Sequence, residues 1–290
     1  MRNMDLESLH IFKAVVEYGG ITKAASQLNR VQSNITTRVQ NLEERLGVKL
    51  FQRQNGKLVL SSEGKVLLGY AERLLRLSSE AESAMRHGGP RGILRIGTME
   101  STAAARLPQL LSAYHELYPD VQIELVPGTS GALVGRVQRF EIEAAFVAEP
   151  FAPSGLESQQ AFVEELVLIT PRRSAPIETA DDLQQRTVIA FASGCTYRRI
   201  LEDWLSTSAV VPDRVLELSS YHAIIACVAA GSGMAIMPRS VLEVVKAEDQ
   251  LRVNVLPPKV ARVNTRLVWR EGHQSVALDA MRAALTRQTA

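Results

Sequence analysis

Cysteine is scarce in this chain: Cys195 and Cys227 are its only two in 290 residues. Two cysteines give no disulfide framework and fit a reducing compartment. No apolar run reaches the roughly 18 residues that span a bilayer. The opening MRNMDLESLH lacks the apolar core of a signal peptide, so a cytoplasmic protein with no membrane partner is expected. The five histidines (His10, His87, His115, His222 and His273) show no ligand spacing, so no metal site is expected. Gly231-Ser232-Gly233 begins like a dinucleotide loop, but Ile236 stands where the third glycine belongs. No nucleophile, base and orienting partner can be assembled. No catalytic residue and no cofactor is therefore expected, and the chain reads as a non-enzyme.

The charge is unevenly spread. Residues 1–92 hold 14 Lys/Arg against 9 Asp/Glu, whereas the remainder holds 19 against 22. A basic head on an acidic body suits a polyanion bound at one end. The length allows one to three domains and is ample for a packed core.

The head carries the most specific pattern. Asp5 can cap a first helix whose apolar stripe is Leu6, Leu9, Phe12, Val15 and Val16, and Gly19-Gly20 end it. Thr22 can cap a second, short helix from Lys23 to Leu28, where Ala24 and Ala25 permit close helix approach. Asn29-Arg30 supply a turn. A third helix is expected from about Gln32 to Leu46, with Ile35, Val39, Leu42 and Leu46 on its buried face. Its other face carries Gln32, Ser33, Thr36, Thr37, Arg38 and Asn41. Gln can pair with adenine, Arg with guanine, and a Thr methyl can touch a thymine methyl. Gly47 ends that helix. Lys49–Arg53 and Lys57–Leu60 then alternate as strands about Gln54-Asn55-Gly56, a strong hairpin signal. Lys49, Arg53 and Lys57 put positive charge on this wing, suited to phosphates. Lys23, Arg30 and Asn34 complete the expected DNA contacts. This order describes a winged helix-turn-helix over residues 1–61.

Ser61 can cap a long helix running to about His87. Leu67, Tyr70, Leu74, Leu77, Ala81 and Ala84 recur at three- and four-residue spacings, a seam suited to a partner helix. Residues 62–88 are therefore expected to link and dimerise, because two-fold DNA readers hold two half-sites a helical turn apart. Gly88-Gly89-Pro90-Arg91-Gly92 marks a boundary.

The body, residues 93–290, alternates strands and helices. Strands are expected at Ile93–Thr98, Val121–Val126, Ala144–Ala148, Phe162–Thr170, Thr187–Phe191, Val215–Leu218, Met234–Met237 and Arg266–Trp269. Helices are expected at Thr102–Leu117, Leu133–Phe140, Tyr197–Leu205, Ala223–Ala230 and the C-terminus. Such alternation implies an α/β layer architecture. Residues 93–160 with 264–290 would form one subdomain and 161–263 the other.

With these motifs in place, the chain resembles the LysR-type transcriptional regulators over essentially its whole length. The most specific part is the order AAS-x-L, then NRVQSNITTRVQNLEERLGVKLFQR, then LSSEG. It departs from the usual pattern at Val31-Gln32-Ser33, where Ser-Gln-Pro is usual. A second departure is Thr36-Thr37 in place of Ser-Arg, with Arg38 one place on. The resemblance implies an α/β effector domain with the fold of periplasmic binding proteins, in two subdomains, behind a winged helix-turn-helix and a linker helix. In such folds a ligand sits against helix N-termini. The candidate termini are Ser101-Thr102, Thr129-Ser130, Ser193-Gly194-Cys195-Thr196 before Tyr197, and Ser220-Tyr221-His222. They suggest a small anionic effector, with Arg198 or Arg199 as its counter-charge. The expected partners are double-stranded DNA with an interrupted palindrome, the effector, a second copy or a tetramer, and RNA polymerase. Three alternatives stay open: a thiol switch at Cys195, an architectural DNA protein, and a small-molecule-binding protein or enzyme with a vestigial head.

Overall fold

The computed structural model describes residues 4–54, 57–85, 89–151, 154–183 and 187–289. The chain divides into two compact units, Met1–His87 and Gly88–Ala290. No helix among the described residues is long and apolar enough to cross a membrane.

The first unit opens with α1 (Leu6–Glu17), capped by Asp5, which accepts from the Ser8 N–H at 2.7 Å. Next comes α2 (Ile21–Gln27), which begins one turn-half earlier than Thr22 would set it: its cap is Gly20, and no side chain caps it. The third helix, α3 (Gln32–Leu46), runs over its expected residues and ends at Gly47, whose φ of 69° is the left-handed cap glycine favours. Strands β1 (Phe51–Gln54) and β2 (Lys57–Leu60) pair antiparallel, with Gln54 opposite Lys57. Asn55 and Gly56 lie outside the described residues. Finally α4 (Ser62–Met85) follows Ser61, whose Oγ accepts from the Gly64 N–H at 2.8 Å. His87 and Gly88, expected at the end of this helix, lie outside the described residues.

Two apolar clusters hold this unit together. Ile11, Val15, Ala24, Ala25, Ile35 and Val39 form one, where the alanines let α1, α2 and α3 approach closely. Leu9, Phe12, Leu42, Leu50, Leu67 and Ala71 form the other, under α4. Leu46, expected in the buried face of α3, is instead 38% exposed. It lies in the last turn of α3 and belongs to neither apolar cluster of the head.

The second unit runs β3 (Gly92–Thr98), α5 (Glu100–Ala105), α6 (Leu107–Leu117), β4 (Val121–Pro127), α7 (Ser130–Gln138) and β5 (Ala144–Ala148). Then come β6 (Leu156–Pro171), β7 (Thr187–Ala190), α8 (Thr196–Thr207), β8 (Arg214–Glu217), α9 (Tyr221–Ala229), β9 (Ala235–Pro238) and α10 (Arg239–Val245). The chain finishes with β10 (Leu251–Val255), α11 (Pro258–Ala261), β11 (Arg262–Arg270) and α12 (Val276–Thr289). The single helix expected over Thr102–Leu117 is two, broken at Arg106. Pro108, in the first turn of α6, cannot donate the hydrogen bond that would continue α5.

Strand order is β10-β6-β11-β5-β3-β4, with β9 also on β6. β3 is parallel to both β4 and β5, while β11 returns antiparallel between β5 and β6. The 16-residue β6 joins two sheet regions: its first part pairs with β11, and Leu166–Pro171 pairs with β9 and β10. A separate parallel pair, β7 and β8, is bridged to Met234 through Val188. One cluster packs α6 and α12 on the sheet through Leu107, Leu110, Tyr114, Phe146, Trp269 and Met281. Another places Leu133, Val137, Ala145, Val147, Leu201 and Trp204 together, and a third centres on Val167, Ile169, Ile189, Ile224 and Met237.

Candidate nucleic-acid interface and ligand cavity

On α3, burial of Ile35, Val39 and Leu42 turns Gln32, Ser33, Asn34, Thr37, Gln40 and Asn41 outward, where all six are exposed. Thr36 is half-buried, and its hydroxyl donates to the Gln32 carbonyl at 2.9 Å, so its methyl rather than its hydroxyl is free for a partner. Arg38 is not on this outward face. It flanks Val39, and its guanidinium pairs with Glu7 of α1 at 3.0 Å. Arg30 pairs with the same Glu7 at 2.7 Å. Two of the three arginines expected to meet DNA, Arg30 and Arg38, are thus tethered to α1 through Glu7.

The wing is fixed from inside. The Glu43 carboxylate is buried and accepts from the Leu50 N–H at 2.8 Å, the Phe51 N–H at 3.3 Å and Lys49 Nζ at 2.7 Å. Burial pushes its pKa up, but the Lys49 ammonium and the two N–H groups hold it below the usual glutamate range. Lys49 therefore precedes β1 rather than lying in it, and it is tied to α3 while its chain stays exposed. The pairing holds the Lys49 ammonium above the usual lysine pKa. The Ser61 hydroxyl donates to the Lys49 carbonyl at 2.6 Å, joining the foot of the wing to the start of α4. Lys23 and Arg53 are exposed, and the side chain of Lys57 lies outside what is described.

Along α4 the expected seam divides. Leu67 faces inward, 9% exposed, and packs with Phe12 and Leu42 of its own head, so it is a core residue. The reason is proximity: α4 leaves β2 directly over α1. Tyr70, Leu74 and Leu77 are 54%, 38% and 61% exposed. Ala81 is exposed, and the side chain of Ala84 lies outside what is described.

In the second unit, a cavity of about 660 Å³ opens where β3, β4, β7 and β8 end. This is where open α/β sheets place ligands, since the strand ends leave loops and helix N-termini facing a crevice. Ser101, Thr129, Ser130, Cys195, Thr196 and Tyr197 all line it; Thr102, Ser193, Arg198 and His222 do not. Thr102 is buried, whereas Ser193 and His222 are exposed. Arg198 stands behind the lining, paired with Glu202 at 2.8 Å and with the lining residue Glu217, and donating to the Phe191 carbonyl at 3.2 Å. Arg199 donates to the Pro150 carbonyl at 2.8 Å.

The terminus of α7 is largely occupied by its own chain. Thr129 Oγ1 accepts from Ala132, the Gly131 N–H reaches the Gly194 carbonyl at 3.4 Å, and Ser130 Oγ accepts from the Ala148 N–H at 3.1 Å. Tyr221, from the expected Ser220-Tyr221-His222 terminus, also lines the cavity, as does Glu100, which sequence reasoning missed. Both Glu100 carboxylate oxygens accept from the Tyr221 N–H at 3.2 Å, so Glu100 caps α9 in place of Ser220. The ME-S-T run after β3 was the available signal. Burial pushes the Glu100 carboxyl up, against the pull of the Tyr221 N–H and of His222. Among the described residues, no Lys, Arg or His lines the cavity, and the expected counter-charge Arg198 is engaged by Glu202 and Glu217 instead. Cys195 is also shifted upward by burial, which outweighs the N–H groups of Arg198 and Tyr197. Burial thus opposes the lowering that a helix N-terminus gives a thiol.

A winged helix-turn-helix joined in one chain to an α/β unit with a ligand cavity defines a one-component, ligand-responsive DNA-binding regulator. Residues 6–65 match the bacterial regulatory helix-turn-helix protein family of lysR type, and residues 87–290 match the LysR substrate binding domain. The chain belongs to the LysR family of transcriptional regulators, DNA-binding and effector-responsive. It is 38% identical over 269 residues to the uncharacterized HTH-type transcriptional regulator YusT of Bacillus subtilis, covering 92% of this chain and 90% of that one. It is 36% identical to GltR of the same organism, covering 98% and 95%. Among solved structures, full-length CbnR complexed with its target DNA aligns at a TM-score of 0.71 and 24% identity, covering 98% and 99%. A full-length OxyR variant from Pseudomonas aeruginosa aligns at 0.71 and 18%, covering 98% and 95%. These two likenesses concern the fold.

Proposed function

We propose that two copies of the chain, or a pair of such dimers, hold an interrupted palindrome near a promoter through α3 and the wing. The observation that carries this is the outward row Gln32, Ser33 and Thr37 on a helix whose opposite face is packed. These groups read base edges; Lys23, Asn34, Lys49, Arg53 and Lys57 position the head on phosphates. Arg30 and Arg38 join them by exchanging Glu7 for DNA. Supporting the placement, CbnR of like fold was solved on its target DNA. The exposed Tyr70, Leu74 and Leu77 of α4 meet the same residues of a partner, since such a row is costly to leave in water. Residues 1–61 read DNA, 62–88 link and dimerise, and 93–290 sense. Within 93–290, the parts 93–160 with 264–290 and 161–263 move against each other.

A small effector fills the cavity at the strand ends, and it prefers one arrangement of the sensing part over the other. That difference in affinity shifts the spacing or bending of the bound heads. The output is contact with RNA polymerase in the cytoplasm, without catalysis. Selection of bound fragments from the host genome, followed by footprinting with and without a metabolite panel, tests this. A recurring two-half-site sequence whose footprint changes with one metabolite is expected; fragments without a shared sequence would sink it.

A further inference from the structure

The charged side chains that line the cavity are both carboxylates. Glu100 is its half-buried carboxylate, and no side-chain cation lines the space with it among the described residues. The second acidic group, Glu217, is already paired with Arg198. Glu100 holds the N-terminal position of α9 that a bound anion would take, accepting the Tyr221 N–H with both oxygens. One N–H uses only part of the four lone-pair directions of a carboxylate. His222 exerts a favourable pull on it, but that ring is exposed and outside the cavity.

Beside Glu100 stand buried hydroxyls. Ser101 Oγ and Tyr197 Oη make no close hydrogen bond to the protein, lie near enough to act on each other, and belong to residues that line the same space. Ser101 and Glu100 both act on the Tyr221 phenol, whose pKa is pushed up chiefly by burial, so the four residues sit together. Phe191 and Tyr221 add an edge-on ring pair with centroids 4.8 Å apart, and both line the cavity. Met99, Pro127 and Leu218 make the rest of this wall apolar.

We infer that the effector carries a protonated amine, seated on Glu100 among Ser101, Tyr197 and Tyr221, with an apolar body against Phe191 and Leu218. An ammonium has three donors: one neutralises the half-buried carboxylate and the others go to the Ser101 and Tyr197 hydroxyls, which accept them. The ring faces favour the same cation. This inference rests on the cavity being the effector site. It replaces the anionic effector suggested by the helix termini.

The test uses the full-length protein on its selected operator, with the small-molecule pool of the host extract as probe. One half of the pool is exhaustively N-acetylated, which removes amine charge and leaves carboxylates intact. The untreated pool should change the footprint and the acetylated pool should not. Glu100→Gln, which keeps an oxygen to cap α9, should raise the pool concentration for half response about tenfold or more. Glu100→Asp should recover part of the response. A footprint change that survives acetylation, or a Glu100→Gln variant that responds like wild type, overturns the amine. Ala192→Trp, which fills the cavity, separates the two readings: an undiminished response there overturns the cavity as effector site. Absence of any response to the untreated pool overturns the effector reading itself.

Discussion

Glu43 and Gly64 are neighbours of one carbonyl and one N–H at Leu50, and together they set the angle of the wing. A Cβ on Gly64 would stand 2.2 Å from the Leu50 carbonyl oxygen, a backbone atom that cannot yield cheaply. Gly64→Ala should therefore destabilise the head by about 1–3 kcal/mol, read as a lower urea midpoint for the full chain. Glu43 acts through its charge. Its folded pKa lies below its unfolded value, so its contribution is fully present above the unfolded pKa of about 4.3. That contribution is lost as pH falls through the depressed folded value. Wild type should lose stability in that window, and Glu43→Gln should show a flatter loss in parallel urea titrations at descending pH. Equal slopes for the two proteins would remove Glu43 from the acid response.

At the scale of elements, α1 restrains the charges that α3 would bring to DNA. Glu7 holds Arg30 and Arg38 at 2.7 and 3.0 Å, in pairs that are each over a third exposed. Such pairs are weak, on the order of 0–1 kcal/mol, so DNA phosphates or bases can replace Glu7. Glu7→Gln should tighten operator binding a few-fold in a fluorescence anisotropy titration. Arg38→Ala should weaken it by about 1–3 kcal/mol and relax discrimination against scrambled DNA. Unchanged discrimination would confine Arg38 to holding α1. In the second unit, Arg106 at the break between α5 and α6 grips Glu164 of β6 at 2.8 and 2.9 Å, and Ser240 of α10 donates to the same carboxylate at 2.8 Å. Glu164 is only 1% exposed. Arg106→Ala leaves a buried charge unpaired and should cost roughly 3 kcal/mol, visible as a lowered thermal midpoint. Arg106→Ala with Glu164→Gln should recover part of it.

For the whole molecule, function depends on copies of the chain acting together. The outward row on α4 is short, because Leu67 has gone to the core of the head and leaves Tyr70, Leu74 and Leu77. Leu77→Glu places a charge on the most exposed of the two leucines. It should shift the protein to monomers in sedimentation velocity and weaken operator binding at equal protomer concentration, because two linked heads bind far more tightly than one. A variant that stays assembled would move the interface elsewhere.

Much of the architecture was legible in the chain. The spacing of Ile35, Val39 and Leu42 marked α3 over the residues it occupies, Asp5 and Ser61 marked two helix starts, and Gly47 marked a stop. These are local effects: periodicity, capping and backbone freedom act within a few residues. The break at Arg106, the capture of Leu67 by the head core, and the ion pairs of Arg30, Arg38 and Arg198 were not legible. Each depends on a partner distant in sequence or on which face a neighbouring element covers. The cavity shows the same division. By itself the sequence determined a regulator with a DNA-reading head and an α/β sensing body. Only the tertiary structure set Glu100 against the N-terminus of α9, across 121 residues, and brought Ser101 and Tyr197 into the same cavity wall. The sign of charge in a cavity belongs to the walls that folding brings together, and no single segment contains it.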